Sequence, residues 1–157
     1  MSQAFNSIQG ITPAMQDNLQ QLGFNDATEI QAQSLPVSLA GNDLLAQAKT
    51  GSGKTVAFGI PLLQKLNPKF FGIQGLVLCP TRELATQVSD ELRKLARFTA
   101  NIKIVVISGG VSIGPQIGSL ERGAHIVVGT PGRIKDHLRK KTMVLDNVST
   151  LVLDEAD

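Results

Sequence analysis

The chain has 157 residues, enough for one domain with a sizeable apolar core, and its 42% hydrophobic and 18% charged residues are typical of a globular protein. A formal net charge of +2 permits a polyanionic partner without requiring one, and six Phe with no Trp or Tyr argue against a surface that stacks many bases. Cys79 is the single cysteine, which excludes an internal disulfide, and no apolar run reaches the length of a membrane span, so we expect a cytoplasmic protein that does not bind membranes.

The first 41 residues are predicted to be mainly helical. Thr12 and Pro13 are typical of an N-cap and a first helical position, and Gly23 is typical of the residue that follows a helix. Thr28 is predicted to cap a second helix, and Gly41 is predicted to end it.

A phosphate-binding loop follows at 48–55, where the sequence is AKTGSGKT. An apolar run at 44–46 predicts a buried strand before the loop, and a helical pattern begins at its end, which is the context that this motif requires. Small residues let successive backbone N–H groups converge on phosphate oxygens, and the new helix directs its positive end toward them. We expect Lys54 to reach the terminal phosphates and the Thr55 hydroxyl to bind Mg²⁺. The nucleotide-binding residues predicted here are Lys49, Thr50, Gly51, Ser52, Gly53, Lys54, Thr55 and Val56.

The rest of the chain alternates short apolar runs with helical patterns. Helices are predicted at 82–98 and after Thr130, and the last one is expected to direct Ile134 and Leu138 inward. This order predicts right-handed βαβ units, and therefore an α/β fold whose mostly parallel sheet is covered by helices on both faces. Ligands bind such sheets at the carboxyl ends of the strands. The predicted strands are 75–79, 102–107, 126–128 and 150–153.

Two carboxylates end the last predicted strand. Asp154 and Glu155 follow its apolar run, and in a chain with a phosphate loop they are the expected second half of the site. Asp154 is expected to hold Mg²⁺ through its water shell, and Glu155 to orient and deprotonate an attacking water. Together with Lys54 they are the predicted catalytic residues. Since nothing in the sequence indicates a cavity for another acceptor, the pattern favours hydrolysis of a nucleoside triphosphate.

Six short motifs lie in order at 23–31, 48–55, 80–85, 109–110, 130–133 and 154–157. They resemble those of the first RecA-like domain of DEAD-box ATP-dependent RNA helicases, and the resemblance runs from Phe5 to the last residue. The resemblance implies a RecA-like P-loop fold that is incomplete at its C-terminus. It also implies a helical adenine-recognition region, the Q-motif, at 1–41 and a truncated ATP-binding core at 42–157. The segments most similar to bacterial DbpA-type helicases are 79–85, 91–97 and 130–140.

The same resemblance implies ATP as the nucleotide and Mg²⁺ as its metal. Gln31 is implied to read the adenine edge, and an amide that donates and accepts at once suits this base. Thr28 would brace Gln31 and the phosphate loop, and Asp26 is included among the nucleotide-binding residues. Phe5 is implied to pack near the base. Seventeen residues lie between it and Gly23.

Residues after the other predicted strands are implied to grip single-stranded RNA. Helix N-termini, hydroxyls, glycine amides and arginine side chains all suit phosphate oxygens, and such contacts hold the backbone without reading sequence. For the threonines a plain helix-cap role stays open, and for the arginines a solvated position in a first helical turn. The implied RNA-binding residues are Thr81, Arg82, Gly110, Thr130, Gly132 and Arg133.

The activity implied by the resemblance is RNA-stimulated ATP hydrolysis coupled to local opening of RNA duplexes, in the cytoplasm and in ribosome biogenesis. The implied partners are RNA and a second RecA-like domain of the same protein, to which Asp157 would couple the nucleotide site, and the protein is expected to be monomeric. The chain stops inside its last motif, so we expect a part of a longer protein that hydrolyses ATP poorly when isolated.

Two other classes of function stay open at this point. One is another P-loop NTPase, such as a DNA translocase or a small kinase. The other is an ATP-gated RNA clamp or scaffold that does not unwind. His125 and His137 lack the spacing of a metal site, and Cys79 is interpreted as a buried thiol rather than a nucleophile.

Overall fold

The computed structural model describes residues 3–49 and 51–155. Its helices are Pro13–Gln21 (α1), Glu29–Leu39 (α2), Lys54–Gln64 (α3), Arg82–Leu95 (α4), Ile113–Glu121 (α5) and Pro131–Lys140 (α6). Its strands are Gln3–Ala4 (β1), Asp26–Ala27 (β2), Gly75–Leu78 (β3), Ile104–Ile107 (β4), Ile126–Gly129 (β5) and Thr150–Leu153 (β6). Within the described ranges, no helix is both long enough and apolar enough to cross a membrane.

Two compact units divide the chain. The first runs to Lys65 and takes in 91–100, and the second consists of Leu66–Asp90 and of the chain from Asn101 onward. The phosphate loop belongs to the first unit, and the four-stranded sheet belongs to the second. α4 contributes residues to both, and a 3₁₀ turn at Ala96–Phe98 completes the helical stretch predicted there.

In the first unit, α1 forms as its sequence signals predict. The Thr12 Oγ1 accepts a hydrogen bond from the Met15 N–H at 3.3 Å, and Pro13 occupies the first helical position. Met15 is fully buried, so the apolar stripe of α1 faces the core of this unit. The Asn18 Nδ2 donates to the Leu95 carbonyl oxygen at 2.9 Å, which holds α1 against the end of α4.

A capping box begins α2. The Thr28 Oγ1 accepts from the Gln31 N–H at 3.4 Å, and the Gln31 Oε1 accepts from the Thr28 N–H at 2.8 Å. The helix ends before Gly41, whose φ is +89°, as predicted. In front of it, β1 and β2 form a two-residue antiparallel ladder that was not predicted, because so short a strand has no periodicity to detect.

The strand predicted at 44–46 is not found, and that prediction is wrong. Residues 42–49 have no regular secondary structure, and Leu45 is 97% exposed. An apolar run becomes a strand only where a neighbouring strand takes up its N–H and C=O groups. Within 3–49 and 51–155, no strand pairs with this run, so irregular chain precedes the phosphate loop.

The second unit contains the parallel sheet that the alternating pattern predicted. Its strands lie in the order β4-β5-β3-β6, and every neighbouring pair is parallel. β5 is buried at all four positions, as expected of a strand covered on both faces, whereas β6 at the edge is only partly buried. The core around the sheet consists of Ile73, Leu76, Ile107, Val127, Ile134 and Met143.

α5 is a helix that the sequence pattern did not predict. It contains Gly114, Pro115 and Gly118, residue types that disfavour helix interiors. Pro115 is tolerated because it lies in the first turn, where its missing N–H would have no intrahelical partner. The helix is held from outside, since the Gln116 Nε2 donates to the Ser108 carbonyl oxygen at 2.9 Å.

α6 confirms one predicted inward residue and corrects the other. Ile134 is 4% exposed, but Leu138 is 41% exposed, so the prediction that Leu138 faces inward is wrong. His137 is fully buried in its place. Residues three and four positions apart share a helix face, so the helical period alone could not choose between His137 and Leu138.

Candidate functional site

In the first unit, the phosphate loop has the backbone geometry that its glycines predict. Gly51 and Gly53 have φ values of +84° and +90°, a region that residues with a Cβ rarely adopt. Gly53 is the N-cap of α3 and supplies no side chain to satisfy the N–H groups of the first turn. A helix N-terminus of this kind binds phosphate through its backbone.

The loop also presents polar side-chain atoms to a ligand. The Ser52 Oγ is buried and has no hydrogen-bond partner within the described ranges. Lys54 and Thr55 are the first residues of α3 and are half-buried, and Val56 is buried beneath them. A threonine hydroxyl and a carboxylate are hard oxygen ligands, so Thr55 of this unit and Asp154 of the other each suit Mg²⁺ in their own chemistry. Thr50 lies outside the described residues.

Gln31 connects α2 to the phosphate loop. Its Nε2 donates to the Gly53 carbonyl oxygen at 3.1 Å, while its Oε1 accepts from Thr28, as described above. A Cβ at Gly53 would overlap the Gln31 Nε2, so the glycine is required for this close approach as well as for its φ. Gln31 is 5% exposed, and its amide keeps one further N–H and one further lone pair. The side chain therefore holds the loop and keeps hydrogen-bonding capacity, but it does not line the cavity beside the loop.

A cavity of about 410 Å³ lies between the start of α2 and the loop. Its volume is in the range of small-molecule sites. Phe5 does not line it, because this side chain is 3% exposed in the core, where its backbone N–H donates to the Asn25 carbonyl oxygen at 3.0 Å. Asp26 is exposed on β2. The lining residues are Thr28, Glu29, Ile30, Gln33, Gln47, Ala48, Lys49 and Ser52.

Five of those lining residues were not among the predicted nucleotide-binding residues: Glu29, Ile30, Gln33, Gln47 and, within the predicted loop, Ala48. The first three are on the same helix as Gln31, within two positions of it, so proximity along α2 was the available signal. Gln33 donates to the Glu29 carboxylate at 3.3 Å, which orients both side chains at the cavity wall.

In the second unit, the register of the sheet aligns the predicted site residues along one edge. The last residues of neighbouring strands pair as Ile107 with Gly129, Gly129 with Leu78, and Leu78 with Leu153. The ladder continues past them, since the Thr130 N–H donates to the Ile107 carbonyl oxygen at 3.0 Å and the Asp154 N–H to that of Leu78 at 2.9 Å. The residues that follow the strands therefore lie along this edge in the order Ser108, Thr130, Cys79 and Asp154.

Cys79 lies on this edge, and its surroundings keep its thiol protonated. Cys79 is 1% exposed, and burial, followed by the charges of Asp154 and Glu155, raises the pKa of its thiol to about 12. A thiol with this pKa is not a nucleophile at neutral pH, as predicted. Asp154 is half-buried and Glu155 is exposed, with a left-handed φ of +52°.

The two predicted threonines differ in how their hydroxyls are used. The Thr81 Oγ1 accepts from the Leu84 N–H at 3.2 Å, so Thr81 caps α4. Thr130 is the N-cap residue of α6, but its side chain makes no capping hydrogen bond. The hydroxyl of Thr130 is thus open to a ligand, whereas that of Thr81 is shared with a helix.

Gly110 lies next to Arg82 in this unit, whereas Gly132 and Arg133 have different surroundings. Gly110 has a φ of +83°, and a Cβ there would be 3.0 Å from the Arg82 Nη1. A Cβ at Gly132 would meet open space. Arg133 is only 14% exposed in its side chain, its Nη1 donates to the Gln116 Oε1 at 3.1 Å, and its Nε lies 3.5 Å from the Asp136 carboxylate. Arg133 is therefore not the solvated first-turn residue that the sequence left open.

Both histidines are buried and hydrogen-bonded, and neither belongs to a metal site. The His125 Nδ1 accepts from the Lys103 N–H at 2.9 Å, so its Nε2 donates to the Pro68 carbonyl oxygen, also at 2.9 Å. Its ring also packs against Phe71, with centroids 4.7 Å apart. Across 3–49 and 51–155, no three His, Cys, Asp or Glu side chains cluster as metal ligands would. Asp157 lies outside the described residues.

Comparison with known proteins places this geometry among helicases. Residues 28–157 match the sequence model of the family described as DEAD/DEAH box helicase. The chain is 54% identical over 154 residues to the ATP-dependent RNA helicase DbpA of Escherichia coli, which covers 98% of this chain and 34% of that protein. It is 52% identical over 139 residues to the DEAD-box ATP-dependent RNA helicase CshA of Bacillus licheniformis, with coverage of 88% and 28%. The chain thus spans about a third of the length of these relatives.

Solved structures agree with the sequence comparison. The TM-score is 0.91 with a DEAD box protein from the hyperthermophile Methanococcus jannaschii, at 43% identity, covering 100% of this chain and 43% of that one. It is 0.85 with an S. cerevisiae Dbp5 variant bound to RNA and ADP BeF3, at 32% identity, covering 98% and 38%. These similarities confirm the predicted α/β, RecA-like fold class.

Proposed function

Because the chain belongs to the DEAD/DEAH box helicase family, we propose that it is the first RecA-like domain of an ATP-dependent RNA helicase, with residues 1–41 as its adenine-recognition region and 42–157 as its ATP-binding core. The observation that carries the proposal is the link between Gln31 and the carbonyl oxygen of Gly53. This contact connects a side chain suited to adenine with the helix N-terminus suited to phosphates, so one unit carries groups for both ends of ATP.

Lys54 and Thr55 in the loop, and Asp154 and Glu155 after β6, each have a proposed role at the phosphates. The N–H groups of the loop and the Lys54 ammonium neutralise the phosphate oxygens. Thr55 and, through water, Asp154 are the proposed ligands of Mg²⁺, which when bound would polarise the terminal phosphate. Glu155 accepts a proton from the attacking water and orients it.

For the base, Gln31 uses its second N–H and its second lone pair, because the first of each is engaged with Gly53 and Thr28. Ile30 supplies an apolar wall of the cavity. Phe5 supports this region from the core instead of offering an open ring face, and Asp26 flanks it on β2.

For RNA, we propose that the edge of the four-stranded sheet grips the sugar–phosphate backbone. The groups assigned to this contact are the Thr130 hydroxyl, the backbone of Gly110 and Gly132, the Arg82 side chain and the largely buried Arg133 side chain. Thr81 contributes while it caps α4. Such contacts carry no sequence information, so RNA choice would come from elsewhere in the protein.

The full-length activity belongs to the same proposal. ATP hydrolysis stimulated by RNA would be coupled to local duplex opening, with a second RecA-like domain as the partner and Asp157 as the coupling residue. We propose a monomer that acts in the cytoplasm, in ribosome biogenesis. The isolated chain is expected to bind adenine nucleotide weakly and to hydrolyse it poorly, since an arginine finger from a partner can contribute about 10³–10⁵ in rate.

The test uses the natural full-length protein and measures ATP hydrolysis and strand displacement with matched RNA and DNA duplexes. We expect RNA to stimulate hydrolysis and ATP to open the RNA duplex but not the DNA duplex. Equal stimulation by DNA would favour a DNA translocase instead. RNA retained in the presence of ATP, with no strand displaced, would favour a clamp.

A further inference from the structure

A buried polar cluster connects the segments to which RNA contacts are assigned. Gln116 on α5 is 8% exposed and His137 on α6 is fully buried, and both lie behind the sheet edge. They contact Ser108 after β4, Arg133 at the start of α6, and Thr142 after its end. The function proposed so far uses Arg133 but gives no role to Gln116 or His137.

The amide of Gln116 has only one orientation that satisfies its neighbours. Its Nε2 donates to the Ser108 carbonyl oxygen at 2.9 Å, so its Oε1 faces the two other groups. That oxygen accepts from the Arg133 Nη1 at 3.1 Å and from the His137 Nε2 at 2.9 Å. Both lone pairs of the Oε1 are thereby used.

The same contacts determine the tautomer of His137. Its Nε2 must carry the hydrogen, because the Gln116 Oε1 only accepts. Its Nδ1, which lies 2.8 Å from the Thr142 Oγ1, then accepts from that hydroxyl in the neutral ring, in competition with the His137 carbonyl oxygen at 3.2 Å. Burial, followed by the Arg133 charge, lowers the pKa of His137, so the neutral form is the one expected at pH 7.

Arg133 is the member of the cluster to which the proposed function assigns an RNA contact. Its Nη1 donates to Gln116, its Nε lies 3.5 Å from the Asp136 carboxylate without a hydrogen bond, and within the described ranges its Nη2 has no protein partner. The hydrogen bond at Nη1 fixes one end of the planar guanidinium and reduces its rotamer freedom before a phosphate arrives. The Gln116 Nε2 holds the backbone just before Gly109 and Gly110 by its bond to Ser108.

We infer that Gln116 and His137 are positioning residues for RNA binding: they fix the Arg133 guanidinium and the turn after Ser108 in the geometry that grips phosphates, and do not touch RNA themselves. This inference rests on the proposed function. His137 acts indirectly, because its Nε2–H orients the Gln116 Oε1, and that oxygen accepts the hydrogen bond from Arg133.

The experiment measures RNA affinity of the full-length protein and of Gln116→Met, which keeps the length of the side chain but removes its hydrogen bonds. We expect the dissociation constant for single-stranded RNA to rise about tenfold. ATP affinity without RNA and the thermal midpoint serve as readouts of the rest of the domain. Gln21→Met makes the same chemical change at an exposed position of α1 and is expected to change none of the three.

A double-mutant cycle separates positioning from a merely structural role. If Gln116 acts through Arg133, Gln116→Met should weaken RNA binding much less in an Arg133→Ala background than in the wild type. Equal effects in both backgrounds, or a lowered thermal midpoint with unchanged RNA affinity, would overturn the inference. Should Gln116→Met not fold, the same cycle is run with His137→Leu, and His137→Gln, which keeps a donor for the Gln116 Oε1, should restore most of the affinity.

The wild type distinguishes this inference from the function on which it rests. A full-length protein that does not bind RNA would refute the proposed function and the positioning role together. A protein that binds RNA while Gln116→Met binds as tightly would refute the positioning role alone.

Discussion

The phosphate loop of the first unit and the sheet edge of the second are built in different ways. The loop takes its geometry from a few consecutive residues, with Gly51 and Gly53 in left-handed conformations and α3 beginning directly after them. The edge is assembled from four segments that are far apart in the chain and are aligned by strand register. A local site can be recognised from its own motif, whereas an assembled site depends on residues, such as Gln116, that no motif includes.

The two regions predict different responses to substitution. In the loop, stability and ATP binding should be reduced most by substitutions that change the backbone conformation. At the edge, activity and RNA binding should be reduced most by substitutions of the side chains themselves or of the residues that contact them.

The largest effect is expected at the carboxylate end of the edge. Glu155→Gln in the full-length protein should lower ATP hydrolysis by about 10²–10⁴, because an amide cannot accept the proton of the attacking water. ATP affinity, measured by nucleotide titration, should change little. Glu121→Gln makes the same change at an exposed position of α5 and should leave hydrolysis intact. Full activity of Glu155→Gln would remove this residue from the proposed mechanism.

The reactivity of Cys79 tests whether the interior behind the sheet edge is inaccessible to solvent. With a pKa raised from 9.0 to about 12, its thiolate fraction at pH 8 is about 10³ lower than that of an unperturbed cysteine. Alkylation by iodoacetamide, followed by mass spectrometry, should therefore be slow in the native protein and fast in denaturant. Rapid native labelling would contradict the buried, thiol form.

Gly53→Ala should damage the loop through its backbone. A Cβ at φ +90° is strained and would overlap the Gln31 amide, so we expect a loss of about 1–3 kcal/mol in the free energy of unfolding and weaker ATP binding. Gly114→Ala is the matched control, because a Cβ there meets open space inside α5 and should stabilise the helix slightly. Denaturant unfolding measures both. Equal stability of the two variants would show that the loop geometry does not depend on glycine.

The smallest effect concerns pH and the cluster behind the edge. The pKa of His137 is lower in the folded protein than its ordinary value of 6.5, so below pH 6.5 the unfolded chain binds more protons. The contribution of neutral His137 to stability is thus fully present above pH 6.5 and is lost as the pH falls through and below it. Unfolding curves from pH 8 to pH 5 should show this loss, and His137→Gln should reduce it. An unchanged pH dependence in His137→Gln would assign the loss to other groups.

Much of the fold followed from local signals. The caps at Thr12 and Thr28 and the four strands of the sheet are close to their predicted positions, because capping chemistry and buried apolar runs act within a few residues. The strand at 44–46 failed for the opposite reason: its apolarity is local, but a strand requires a partner, and the described chain provides none.

By itself, the sequence determined the phosphate loop, the parallel α/β order and the residues that follow each strand. All three depend on the spacing of residues that are neighbours in the chain. Only the tertiary structure decided that His137 rather than Leu138 is buried, that Arg133 is held instead of solvated, and that Gln116 lies behind both. Those outcomes depend on contacts between α5, α6 and the strand ends. A helical period leaves several residues on one face, and it is the neighbouring element that selects which of them is buried.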